Sequence, residues 1–156
     1  MKRSAVVVSV TLAAACLVVA QAGAQEKQLR KSDLPPAVQK TAEAQSQGAT
    51  IQGYSSEIAD GKLEYEVSMT VNGHSRDVSI APDGSVLEIE EGVALAELPP
   101  TVRAGLQAKA GVGTITKVES ITKHGTLVAY EAQVSTGGKR SEIQVGPDGK
   151  PLAHEE

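Results

Sequence analysis

The sequence predicts an α+β protein made of two tandem α-βββ(β) repeats, each a helix packed on an antiparallel sheet. Three observations carry that prediction. Leu34-Pro35-Pro36-Ala37-Val38 returns 64 residues later as Leu98-Pro99-Pro100-Thr101-Val102. Ala81-Pro82-Asp83-Gly84 returns 65 residues later as Gly146-Pro147-Asp148-Gly149, so the copies keep register with one extra residue between the two motifs. Between them the apolar residues change period, from every four to every two. A repeat of this length marks a duplicated structural unit.

The chain opens on an export signal over residues 1–24. Lys2 and Arg3 form a positive start, Ala5 to Ala20 an apolar stretch too short to span a bilayer, and Ala22-Gly23-Ala24 a peptidase site. The protein is therefore expected in the periplasm or the medium. Cys16 suggests a lipoprotein instead, but Ala13 stands where leucine is usual and the apolar run continues past the cysteine. Cleavage leaves about 130 residues with 13 basic against 19 acidic side chains, a net charge of −6, and no cysteine. That balance opposes nucleic-acid binding and excludes disulfides and thiolate metal sites.

Residues 25–32 read as a linker, followed by repeat 1 over 33–92. Pro35-Pro36 suits a first helical turn, where a missing N–H loses no bond. Ala37 to about Gln47 then favours helix, with Leu34, Val38 and Ala42 on one stripe and Gly48 as the stop. Leu63, Tyr65, Val67, Met69 and Val71 alternate with polar residues, the pattern of a strand with one buried face. Asp60-Gly61 and Asn72-Gly73 flank it as hairpin turns. Val78 and Ile80 continue the alternation, Pro82-Asp83-Gly84 turns the chain, and Leu87 and Ile89 mark one more strand.

Repeat 2, over 97–152, runs the same course. Leu98, Val102, Leu106 and Ala110 form the clearer helical stripe, closed by Gly111 and Gly113. Ile115, Val118 and Ile121 begin the strands; Val128, Tyr130, Ala132 and Val134 continue them; Ile143 and Val145 complete them. The extra residue is expected in a longer His124-Gly125-Thr126 turn, which keeps Tyr130 on the face held by Tyr65. Residues 153–156 form a C-terminal tail. With no Phe or Trp, each half must build its core from aliphatic residues, so the halves should pack together or share a sheet.

The repeated Leu-Pro-Pro-x-Val, Tyr65-Glu66-Val67 with Tyr130-Glu131-Ala132, and the two Pro-Asp-Gly turns resemble PepSY-like domains, including the exported group described as beta-lactamase-inhibitor-like. The resemblance covers about residues 33–91 and 97–152. It implies a helix on a four-stranded antiparallel sheet, with the two units paired into a longer concave sheet. It also implies binding of proteins or peptides, with restraint of secreted hydrolases in some members. Such inhibitors use a face rich in aromatics, whereas this chain offers Tyr54, Tyr65 and Tyr130 alone.

No catalytic constellation and no cofactor motif stands out. His74 and His124 fall at turns and His154 in the tail, unspaced for a metal. Gly138-Lys139-Arg140-Ser141 lacks the earlier glycine of a phosphate loop, and no serine lies in a nucleophile elbow. Glu64, Glu66, Glu88, Glu90 and Glu91 can gather on the wet sheet face, with Glu131 and Glu142 in the second copy. They either solvate the strands, act as an acid–base pair, bind a small ligand or divalent cation as an envelope protein would, or present charge to a basic partner. Tyr65 and Tyr130 read as core aromatics, while Tyr54, replaced by Val118 in the second copy, breaks the repeat. The expected contact residues are thus Tyr54, Glu64, Glu66 and Glu131, for a protein or peptide partner in the envelope or the medium.

Overall fold

Alternation along the strands leaves one apolar face on each, and the chain buries those faces by laying them side by side under two helices. The computed structural model describes residues 26–156; the export segment expected over 1–24, with Cys16, lies outside them. The elements are β1 (Lys27–Leu29), α1 (Pro36–Gln45), β2 (Thr50–Ala59), β3 (Lys62–Val71), β4 (His74–Ile80), β5 (Val86–Gly92), α2 (Pro100–Ala110), β6 (Thr114–Lys123), β7 (Thr126–Thr136) and β8 (Lys139–Val145). All eight strands form one antiparallel sheet in sequence order.

Both helices begin on the second proline of their Leu-Pro-Pro motif, where no backbone donor is lost. α1 buries Val38 and Ala42, with Leu34 just before it, against Val67, Met69, Val78 and Ile80. α2 buries Val102 and Leu106, with Leu98, against Val118, Ala132 and Val145. Tyr65 packs against the first cluster and Tyr130 against the second, so both are core aromatics as expected.

The halves are joined by β5 and β6, which pair from Glu88↔Lys123 to Gly92↔Glu119. Of the two arrangements open from the sequence, a shared sheet is the one found. The parity of pairing persists across that seam: Val78 faces Ile89 and Ile89 faces Thr122. Both apolar clusters therefore lie on the same side of the sheet, and so do both helices.

Two expectations need correction. The His124-Gly125 turn is no longer than its counterpart: both turns hold two residues, with φ of 50° and 76° at Asp60-Gly61 and 48° and 79° at His124-Gly125. The extra residue is Val128, a bulge between Leu127↔Thr122 and Ala129↔Ile121. A bulge sets two residues against one, so Tyr130 regains the helix side without lengthening the turn. Residues 25–32 are also more than a linker, since β1 pairs with β2 (Leu29↔Tyr54) and Leu29 packs on the first cluster. No strand follows β8 among the described residues.

The Pro-Asp-Gly turns dock the helices. Thr41 Oγ1 donates to the Gly84 carbonyl at 2.6 Å, and a Cβ at Gly84 would meet the Ala37 carbonyl oxygen at 2.9 Å. At Gly149 (φ +80°) a Cβ would run into the Thr101 main chain. Gly125 has nearly the same φ, +79°, with nothing within 4 Å. Gly125→Ala should therefore cost only the left-handed backbone penalty, about 1 kcal/mol. Gly149→Ala should cost about 3 kcal/mol, because the collision is added. Urea unfolding of the two variants measures the difference, and equal losses would show that the turn does not hold α2.

Candidate functional site on the helix-free sheet face

Side chains alternate across a strand, so each residue beside a core position points away from the helices. Val67 and Val78 face α1, which turns Glu66, Ser68, Asp77 and Ser79 to the other face. Cross-strand register then carries that face over the molecule. One row runs Ser55, Glu66, Ser79, Glu88, Lys123; the next runs Ser68, Asp77, Glu90, Ile121, Ala129. A third links Gly92, Glu119, Glu131 and Gln144. Among the described residues, no helix covers these rows.

At the centre, Asp77, Glu90 and Glu119 bring carboxylate oxygens within 4.8 Å of one another. Asp77 and Glu90 are direct partners on β4 and β5, and Glu119 enters from β6 opposite Gly92. Gly92 suits this place because a Cβ there would lie 2.7 Å from Ser75 Oγ, the hydroxyl that donates to Glu119 Oε1 at 3.4 Å. Glu119 is 5% exposed and pairs with Lys117 Nζ at 2.6 Å.

The Glu90 carboxyl is pushed up to about 8, first by burial and then by Glu119 and Glu88, with a hydrogen bond to Glu88 adding to the rise. Burial, opposed by a Ser68 hydrogen bond, also raises Glu66, and burial opposed by a Gln144 hydrogen bond raises Glu131. Glu64 rises through burial and through Glu57 and Glu88. Four carboxyls on one face thus share the same cause: removal from water beside other acids.

Of the residues expected from sequence, Glu64, Glu66 and Glu131 lie on this face, with Glu88 and Glu90. Glu91 does not; it sits opposite Arg76 and pairs with its Nη2 at 2.8 Å. Tyr54 pairs with Val67 and packs against the first cluster, so it is on the helix side and apart from the acids. The three histidines are exposed, at turns or in the tail. Sequence reasoning missed Asp77, Glu119 and Gln144. Their signal was present, since each occupies an outward position in its strand, but Glu119 meets Asp77 only through the β5–β6 seam, and Gln144 meets Glu131 only through the β7–β8 pairing.

An open groove of about 480 Å³ adjoins the face where Glu64, Glu88 and Lys123 meet Leu63, Pro82 and His124. Among the described residues, no helix is long and apolar enough to cross a membrane.

No family model and no curated protein matches the sequence. Solved structures do match. A provisionally periplasmic protein from Bacteroides eggerthii superimposes with a TM-score of 0.65 at 21% identity, over 76% of this chain and 86% of that one. A DUF2874 family protein from Bacteroides ovatus gives 0.61 at 20% identity, over 76% and 84%. A BLIP-like protein from Bacteroides fragilis gives 0.59 at 21% identity, over 79% and 86%. The likeness is one of fold. The chain shares the α+β architecture of the BLIP-like and DUF2874 proteins, two helices on one side of an antiparallel sheet.

Glu90 makes this face sensitive to pH. An acid with a native value above its unfolded one binds more protons folded than unfolded. Its contribution is therefore favourable at low pH and is lost as pH climbs from 4.5 through about 8. Glu90→Gln should stabilise the chain by on the order of 1–2 kcal/mol at pH 8 and leave it nearly unchanged at pH 4.5. Denaturant unfolding at the two pH values reads this, and an equal effect at both would show that Glu90 titrates normally.

Proposed function

We propose that the chain is an exported, non-enzymatic binding module of two PepSY-like repeats, whose helix-free face receives a positively charged protein or peptide segment. The carrying observation is the row structure of that face: acids from β3, β4, β5, β6 and β7 converge on one surface that carries neither helix, partly desolvated and with few counter-charges. Such an arrangement is costly to the free protein and relieved by a cationic partner, which is how charge complementarity selects one. Glu64, Glu66 and Glu131 carry the contact, while Tyr54 serves the core. Export to the periplasm or the medium rests on residues 1–24 and accords with the periplasmic descriptions among the neighbours. Restraint of a secreted hydrolase is what the resemblance to the beta-lactamase-inhibitor-like group implies, and it is the partner class to try first.

The test is affinity capture with immobilised residues 25–156 against the host's envelope and secreted fractions. A partner held by this face should elute as salt rises. Its retention should fall at least about tenfold on a chain carrying Glu64→Gln, Glu66→Gln and Glu131→Gln, if each lost ion pair contributes about 0.5 kcal/mol. Retention that ignores both salt and these substitutions would remove the face from the account.

A second reading has its own observation, the convergence of Asp77, Glu90 and Glu119. Oxygen ligands at this spacing suit a hard divalent cation such as calcium. Because Glu90 must lose its proton to ligate, affinity should increase from pH 6 to pH 8. Roughly 5 mM calcium should then raise the melting temperature by about 3 °C or more at pH 8, and Glu119→Gln should abolish the shift. No shift in the unmodified chain would dismiss the cation.

A further inference from the structure

We propose that the helix-free face over β6, β7 and β8 is a seat for peptide main chain, centred on the Gln144 carboxamide, and that residues 153–156 are its resident, displaceable occupant. Gln144 is 5% exposed although no helix among the described residues lies above it. Its Oε1 accepts the Glu156 backbone N–H at 2.8 Å, and its Nε2 donates to the Glu156 carbonyl at 3.4 Å. One carboxamide therefore engages both the donor and the acceptor of a single residue, a contact that reads main chain and ignores side-chain identity.

Gln144 is built to hold that pose. Its Nε2 also donates to Glu131 Oε2 at 2.9 Å, and its own carbonyl accepts Lys109 Nζ from α2 at 3.0 Å. The segment is gripped a second time two strands away, where Lys123 Nζ on β6 lies 3.6 Å from Glu156 Oε2 and 3.6 Å from Glu88 Oε2. Between Gln144 on β8 and Lys123 on β6 lie Ala129 and Ile121, direct partners on the helix-free side. They are 0% and 1% exposed and belong to neither helix-packed cluster. Glu156 reaches both flanks of this pair, at Gln144 and at Lys123, and no helix among the described residues packs over it.

The occupant is poorly matched in charge. Glu155 and Glu156 enter a surface already holding Glu88 and Glu131, and Glu155 adds to the upward push on the Glu131 carboxyl. Hydrogen bonds and Lys123 retain the segment against that repulsion. A peptide with basic side chains would make the same main-chain bonds and gain attraction where the tail meets repulsion. Competition with an outside partner rests on the binding-module reading; the seat itself does not.

The experiment compares 15N-labelled residues 25–156 with residues 25–152 by NMR, with two acetylated pentapeptides as probes. One is Leu-Ala-His-Glu-Glu, the sequence of residues 152–156, and the other Leu-Ala-His-Lys-Lys. Removing 153–156 should shift the Gln144 side-chain amide and the Ile121 and Ala129 signals. Either peptide should shift them back, the lysine form at least about threefold more tightly at low salt. In the longer chain the response should weaken at least about tenfold, because a tethered segment acts at millimolar effective concentration. Gln144→Leu in the shorter chain should abolish the response.

The seat is refuted if removing 153–156 leaves those signals in place, or if roughly 10 mM peptide moves nothing in the shorter chain. Equal responses in the two chains would refute the tail as occupant. All of these signals come from the chain and its probes, so an empty affinity column would count against the partner and not against the seat.

Discussion

The pairing of β5 with β6 is the constraint on which the rest of the structure depends. Each half of this protein has one short helix and an aliphatic core, Val67, Val78 and Ile80 in the first and Val118, Ala132 and Val145 in the second. Units of about 60 residues bury too little surface to be secure alone. Joining the two sheets edge to edge satisfies a row of backbone donors and acceptors that would otherwise be open to aggregation. It also puts both helices on one side, because a continuous ladder preserves side-chain parity.

That same ladder creates the acidic face. Asp77 belongs to β4, Glu88 and Glu90 to β5, and Glu119 to β6; β4–β5 pairing sets Asp77 beside Glu90, and only when β5 and β6 pair does Glu119 join them. Desolvation then does what it does to any acid: the charged form is disfavoured and the proton is held more tightly. Glu90, flanked by Glu88 and Glu119, responds most strongly. A fold concerned with stability alone would place one more lysine there, as Lys117 does for Glu119. The surplus of acid is what gives the face its chemical character, and the tail contact at Gln144 lies along the same rows.

Much was legible in the sequence because its signals are local. The prolines of Leu34-Pro35-Pro36 and Leu98-Pro99-Pro100 start helices wherever they occur, since they lack a donor the first turn does not need. Alternation from Leu63 to Val71 sorts a buried face from a wet one without reference to any partner. For the same reason Glu64, Glu66 and Glu131 could be assigned to the helix-free face, and Tyr65 and Tyr130 to the core. The bulge at Val128 was not legible, because a longer turn and a bulge leave the same count of residues and differ only in backbone hydrogen bonding.

By itself, then, the sequence determined the α+β class, the helix starts, the hairpin turns at Asp60-Gly61 and Asn72-Gly73, and the acid-rich character of the outward positions. Tertiary structure alone decided that one sheet spans both halves, that residues 27–29 add its first strand, and that Asp77, Glu90 and Glu119 meet. It also decided that Glu156 reaches Gln144. The physical reason is range. Propensity, capping and alternation act within a turn or a strand, whereas a site assembled across β4, β5 and β6 exists only once their register is set, and that register is a property of the whole ladder.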